Sequence, residues 1–188
     1  MKDYVDVPVE SAHRMINHGP VVLVSTCDEG GKYNIAPIAW SSPVHKTPPR
    51  LLVVIGTRHK TYDNIKASKE FIVCVPHASQ VNMVQKTGSV SGKEADKFED
   101  MNIEAFTGKK VNAKVPQGCI GYLECRVVDS LEVGLVEIFV GEPVAAAADK
   151  EAFDERLHTE KEAGKTLHHL GNRIFAVPSG KIVEADES

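Results

Sequence analysis

Apolar residues in the first half of the chain fall in short blocks separated by turn-forming residues, the pattern of strands rather than of long helices. Val21 to Cys27 is a β-branched run, Asp28-Glu29-Gly30-Gly31 supplies residues tolerant of positive φ, and Tyr33 to Trp40 resumes the extended pattern. That arrangement predicts a hairpin. Pro43, Pro48 and Pro49 impose a loop before Leu51 to Gly56, whose length and valine content predict a buried strand. A helix over Thr61 to Ser68, a strand over Phe71 to Val75 and a helix over Ser79 to Lys86 follow, the last because Val81 and Val84 repeat at i, i+3. Ser91-x-x-Glu94 reads as a capping box that opens a helix from Gly92 to Met101.

In the second half, Ile120 to Val128 alternates, with Tyr122, Glu124 and Arg126 on one face and Leu123, Cys125 and Val127 on the other. Leu135 to Val140 predicts a strand and Asp149 to His158 a helix. Arg173 to Pro178, a turn at Ser179-Gly180 and Lys181 to Glu184 predict a terminal hairpin. At the other end, Pro8 to His18 predicts a helix stopped by Gly19-Pro20. Many short strands with isolated helices do not make the regular alternation of a doubly wound sheet. The expected fold is mainly β with short helices, a closed or nearly closed barrel. One domain spans 1–188, with the N-terminal helix within 1–18 and a terminal strand and tail within 179–188.

Composition narrows the function classes. The 188 residues are 42% hydrophobic and 26% charged, ordinary for one folded domain. A net charge of -4 gives no general attraction to polyanions, so nucleic acid is an unexpected partner and any anionic ligand needs a local cluster of donors. No apolar run is long enough to span a bilayer, so no membrane partner is expected. Asp3, Asp6 and Glu10 stand where a secretory signal would be basic and then apolar, and Cys27, Cys74, Cys119 and Cys125 lack CxxC spacing. A cytoplasmic location with reduced thiols is the expectation. Cys119 and Cys125, an even number apart, read as core packing on one strand.

No GxGxxG follows a strand, the Gly88 to Lys93 stretch has the wrong spacing for a P-loop, and no HExxH, GxSxG or paired-cysteine metal spacing occurs. Catalytic and metal-ligating side chains of those kinds are therefore not expected. Two segments remain. Gly56-Thr57-Arg58-His59-Lys60-Thr61 joins a buried strand to a helix start, where unpaired N–H groups and partial positive charge suit an anion, and Arg58, Lys60 and Thr61 add donors. A Thr61 that merely caps the helix beside two solvated cations is the competing reading. Asn34 to Ser42 carries a polar opening residue, the chain's one tryptophan and two small hydroxyl residues, a combination that can meet the edge and face of a planar ligand. Trp40 as a plain core residue is the alternative there.

Together with Ser91-Gly-Lys-Glu-Ala-Asp-Lys97-Phe98, these segments resemble the flavin reductase-like family, in particular its flavoredoxin branch, from about Gly19 to the final strand. The order of the Asn34–Trp40 strand, Thr47-Pro48-Pro49, the Lys-Thr helix start and the Ser-Gly…Asp-Lys-Phe segment carries the resemblance. It implies an FMN-binding split β-barrel, usually a homodimer with flavin near the subunit interface. It further implies that Asn34, Ile38, Trp40 and the Ser41-Ser42 backbone meet the isoalloxazine and ribityl parts. Arg58, Lys60 and Thr61 would hold the phosphate, with Lys97 as a further cationic contact.

The family often carries a Gly-Asp-His run before the strand leading to Gly-Glu. Here Gly134 is followed by Leu135 and Val136, which argues against fast reduction by NAD(P)H. His169 is a candidate flavin cover, with His168 and His169 as surface imidazoles the other reading. The leading expectation is a redox flavoprotein, either a flavoredoxin-like electron carrier served by a partner protein or a flavin reductase-like oxidoreductase. A non-catalytic FMN-binding or sensing module is the alternative, and a barrel without flavin a third.

Overall fold

The computed structural model describes residues 5–185. Seven strands form one antiparallel sheet: β1 (Val22–Cys27), β2 (Tyr33–Ile38), β3 (Ser41–Lys46), β4 (Pro49–Gly56), β5 (Glu70–Val75), β8 (Gly121–Val133) and β9 (Val136–Ala148). Between them lie two short strands, β6 (Ala105–Thr107) and β7 (Lys114–Pro116), which pair with each other; β10 (His168–Gly171) and β11 (Ile174–Ala176) form a separate hairpin. Three α-helices interrupt the strands: α1 (Lys60–Ser68), α2 (Val81–Ser89) and α3 (Lys97–Asp100).

The large sheet runs β2-β1-β5-β8-β9-β4-β3. Its two edge strands, β2 and β3, are nevertheless consecutive in the chain, separated only by Ala39 and Trp40. A two-residue step between opposite edges is possible only if the sheet curls back on itself. Val54 N–H donates to the Trp40 carbonyl at 3.0 Å, extending the β3–β4 ladder into the step itself. The result is a nearly closed barrel with one seam, as the strand pattern predicts.

Alternation along β1 builds two cores. Val22 and Val24 face the barrel interior with Val53, Ile55, Phe71 and Phe139, while Leu23 faces outward to Ile72, Val84, Phe98 and Leu167. Helix α1 plugs the interior with Ile65, fully buried, and α2 and α3 cover the outer cluster. Gly141 is required where β9 passes Phe71, since a Cβ there would lie 2.5 Å from the ring.

Several expectations from sequence are corrected. The proline-rich stretch after Trp40 is mostly strand: β3 lies at the sheet edge, where the N–H missing from Pro43 is not needed by a neighbour. Ser91 does not cap a long helix. Its carbonyl accepts from Glu94 and Ala95 in a turn, and Asp96 caps α3 by accepting from Phe98 and Glu99 N–H. Asp149 to His158 is a looped segment rather than a helix, because Asp149 and Asp154 bind nearby backbone N–H groups and His158 bridges Asp154 and Glu160. The terminal hairpin is β10–β11, turning at Gly171 and Asn172, both at positive φ, and Lys181 to Glu184 forms no strand. The N-terminal helix is a short 3-10 segment, Val9–Met15; residues 1–4 and 186–188 of the two terminal segments lie outside the described residues.

Cys119 precedes β8 and does not share a strand with Cys125, though all four thiols are free and Cys27, Cys74 and Cys125 are buried. The alternation of β8 holds, with Leu123, Cys125 and Val127 facing the barrel interior, and Glu124 is buried on the opposite face because the 109–111 loop covers it. The Glu124 carboxylate accepts from the N–H groups of Lys109, Lys110 and Val111 at 2.9, 2.6 and 2.8 Å. Burial pushes its pKa up, but these three donors outweigh burial and hold it below the usual range.

Candidate functional site

Strand β2, the first turn of α1 and the α2–α3 connection enclose a cavity of about 100 Å³. Asn34, Ile38, Lys60, Thr61 and Lys97, drawn from three distant sequence segments, all line it. So do His59, Thr87, Gly88, Ser91 and Gly92, which the sequence reading did not single out as site residues. The Gly88-Ser-Val-Ser-Gly92 run of small residues was the available signal.

Each side chain has a defined task. Asn34 Nδ2 donates to Thr61 Oγ1 at 2.9 Å, and both residues are buried. Because Thr61 Oγ1 accepts that bond, its own hydrogen is left to donate. Asn34 Oδ1 has no partner, a buried acceptor on the cavity wall. Gly92 fits closely against it, since a Cβ there would lie 2.0 Å from Asn34 Oδ1. Helix α1 begins at His59 without a side-chain cap, which leaves first-turn N–H groups facing outward from its end.

The charges divide into committed and uncommitted. Lys60 pairs with Asp28 at 2.7 Å, and Lys93 with Asp63 at 2.8 Å. Lys97 differs. The residue is 4% exposed, and its ammonium donates to the carbonyls of Ile35 at 2.9 Å and Thr87 at 2.6 Å, with no carboxylate partner among the described residues. Burial pulls its pKa down to about 8. An ammonium has three N–H donors, so one remains. The His59 imidazole is also held below its usual range, first by partial desolvation and then by the charges of Arg58, Lys97 and Lys93. The cavity therefore sits in a positive field.

The remaining predicted residues lie elsewhere. Arg58 is exposed beside the cavity mouth without lining it. Trp40, Ser41 and Ser42 sit at the barrel seam; Trp40 is 46% exposed, its ring centroid 6.2 Å from that of His13 in an edge-to-face arrangement. His169, on β10, lines a second cavity of about 270 Å³. The two cavities meet at Pro37 and Gly88, which line both. Glycine lets α2 approach β2 there, a Cβ falling 2.8 Å from Pro37. No group of three or more metal-binding side chains occurs among the described residues, and no helix of theirs is long and apolar enough to cross a membrane.

Comparison with known proteins fits this geometry. The family model described as Flavin reductase like domain matches residues 14–169. The uncharacterized protein YddH of Escherichia coli (strain K12) is 34% identical over 98% of this chain and 100% of its own. The reductase component of a 4-nitrophenol 4-monooxygenase/4-nitrocatechol 2-monooxygenase from Rhodococcus opacus is 30% identical over 79% of this chain and 78% of its own. The crystal structure of flavoredoxin from Methanosarcina acetivorans superposes with a TM-score of 0.76 at 28% identity, covering 88% of this chain and 87% of that one.

Proposed function

The chain belongs to the flavin reductase-like family, and from that premise we propose that it is an FMN-binding redox protein whose cofactor phosphate enters the cavity between β2 and α1. The observation that carries this reading is Lys97, a buried cation with no carboxylate partner among the described residues on the wall of a cavity that also offers a helix N-terminus. A phosphate supplies the missing negative charge.

The donor set fits the group. The Thr61 hydroxyl, the first-turn N–H groups of α1, Arg58 and the third N–H of Lys97 would hold the phosphate, while Lys60 keeps Asp28 from opposing it. The orphaned Asn34 Oδ1 is an acceptor, suited to a ribityl hydroxyl rather than to the phosphate. Ile38, Trp40 and the main chain of Ser41 and Ser42 would carry the ring along the seam. When bound, the flavin supplies the electron or hydride transfer. The protein holds it in place, and no side chain need act as a nucleophile.

A carrier that exchanges electrons with a partner protein is favoured over direct oxidation of NAD(P)H. At the β8–β9 turn Leu135 is 85% exposed and Val136 is aliphatic, so neither offers a polar side chain to a nicotinamide. The second reading, a reductase, draws on the name of the Rhodococcus relative. We further assign a homodimer: exposed Trp40 packs against His13 of the Val9–Met15 segment, whose end carries the exposed apolar residues Met15 and Ile16, and a second copy would cover this apolar surface.

The visible spectrum of the purified protein, followed by titration with FMN and riboflavin, tests the cofactor. A yellow protein, or tight uptake of FMN over riboflavin, is expected. A colourless protein that takes up no FMN overturns the reading. Anaerobic mixing with NADH and NADPH then separates the two redox roles, slow bleaching being expected of the carrier. Sedimentation checks the dimer.

A further inference from the structure

The second cavity, across the Pro37–Gly88 ridge, has a chemistry of its own. Its lining is largely apolar, with Val21, Ala39, Val84 and Phe175, and it includes no Asp, Glu, Lys or Arg. At about 270 Å³ it exceeds the roughly 150 Å³ known to admit a benzene ring. Apolar walls without a fixed charge select against ions and for flat, neutral molecules.

Three polar residues, Gln85, His169 and Asn172, also line the cavity, and the imidazole gives it a direction. His169 Nε2 lies 3.1 Å from the carbonyl oxygen of Asn172, and a carbonyl can only accept, so that nitrogen carries the hydrogen. The tautomer is thereby set. In the neutral ring Nδ1 is an acceptor, and it has no hydrogen-bond partner among the described residues. Phe175 fixes the ring further, its centroid 5.2 Å away and its plane tilted by 48°.

We propose that this cavity binds a small neutral aromatic molecule bearing a hydroxyl donor, a phenol in chemical class, with the hydroxyl donating to His169 Nδ1. The proposal rests on the flavin reading only for its purpose: the shared Pro37–Gly88 wall would bring such a molecule next to the bound cofactor. The binding itself depends on the cavity alone. His169 is then a specificity-determining residue for this ligand class rather than a flavin contact.

Phenol and anisole are the probes, because anisole keeps the ring and oxygen but cannot donate. A merely apolar cavity favours anisole, the more hydrophobic of the two. Titrate each into the ¹⁵N-labelled protein, with and without FMN, and follow the amides of Gln85, Asn172 and Phe175. The expected result is shifts at those amides and at least fivefold tighter binding of phenol. His169→Leu should reverse that order, His169→Gln should retain it in part through its side-chain carbonyl, and Val84→Trp should abolish both ligands. Equal binding of the two, tighter anisole binding, or shifts confined to other surfaces would overturn the proposal. Phenol selectivity in a protein that takes up no FMN would leave this site standing and remove the flavin reading. FMN uptake without phenol selectivity would do the reverse.

Discussion

Asn34 and Thr61 meet in a buried hydrogen bond of 2.9 Å that ties the edge strand of the barrel to the first turn of its plugging helix. Through this contact the fold sets the direction of the hydroxyl proposed to meet the phosphate. Thr61→Val keeps the shape and removes that donor. A hydrogen bond to a charged group is worth about 1.5–3 kcal/mol, so FMN should weaken by roughly tenfold or more, and riboflavin much less. Fluorescence titration of both ligands checks this; equal losses would remove the phosphate assignment.

His59 offers a spectroscopic reading of the same site. Partial desolvation and three neighbouring cations hold its pKa below the usual histidine range. A phosphate in the cavity would reverse that field, so the His59 pKa should rise in the FMN complex and stay low with riboflavin. By linkage, FMN binding should tighten as pH falls through the His59 titration. NMR titration of the imidazole resonances follows both effects, and an unchanged pKa with FMN bound would place the phosphate elsewhere.

Lys97 should leave a mark on stability at alkaline pH. Its folded pKa of about 8 lies below the unfolded lysine value of about 10.4, so between those limits the unfolded chain binds more protons and stability rises with pH. The window corresponds to roughly 3 kcal/mol at full effect. Urea unfolding of wild type and Lys97→Met from pH 7 to 10.5 should show the difference moving in favour of wild type over that range. Saturating FMN should shrink the trend, because the phosphate offsets the charge.

Glu124 gives the same sign of pH dependence at the acid end of the scale. Its folded pKa is depressed, so its contribution is fully present above the unfolded value of about 4.3 and is lost as pH falls through the lower folded value. Glu124→Gln should cost roughly 2 kcal/mol at neutral pH by weakening charge-assisted bonds to the 109–111 loop. Denaturant unfolding gives the magnitude, and hydrogen exchange at Lys109, Lys110 and Val111 should rise most. An unchanged exchange rate there would show that the carboxylate does not hold the loop.

The barrel was legible because strands β1, β2, β4 and β5 carry their burial in sequence blocks, and the start of α1 because strand end, cations and threonine coincide. Legibility failed where tertiary position overrides local preference. Pro43 breaks an isolated strand but not an edge strand, and the burial of Glu124 comes from a loop at 109–111 whose amides cover its face of β8. At the site, Asn34, Lys60, Thr61 and Lys97, from separate sequence segments, line one cavity. Their partners were not visible: Asp28 lies 32 residues from Lys60, and the carbonyls that hold Lys97 are backbone groups that any residue would supply. Gly92 showed only as a small residue in a turn, whereas its need comes from an atom of Asn34.

The two-residue step at Ala39 and Trp40 also bears on how the protein resists aggregation. An exposed sheet edge is a template for a foreign strand, and this sheet has two. Folding brings the ends of both edges to one seam, where Ala39 and Trp40 join them covalently and Trp40 is already paired with Val54 of β4. Beyond it, β2 carries Pro37, and β3 carries Pro43, a register break and Lys46. An incoming strand therefore finds no long, regular row of free main-chain groups on either side. Keeping the barrel split leaves an edge open to a ligand without leaving one open to polymerisation.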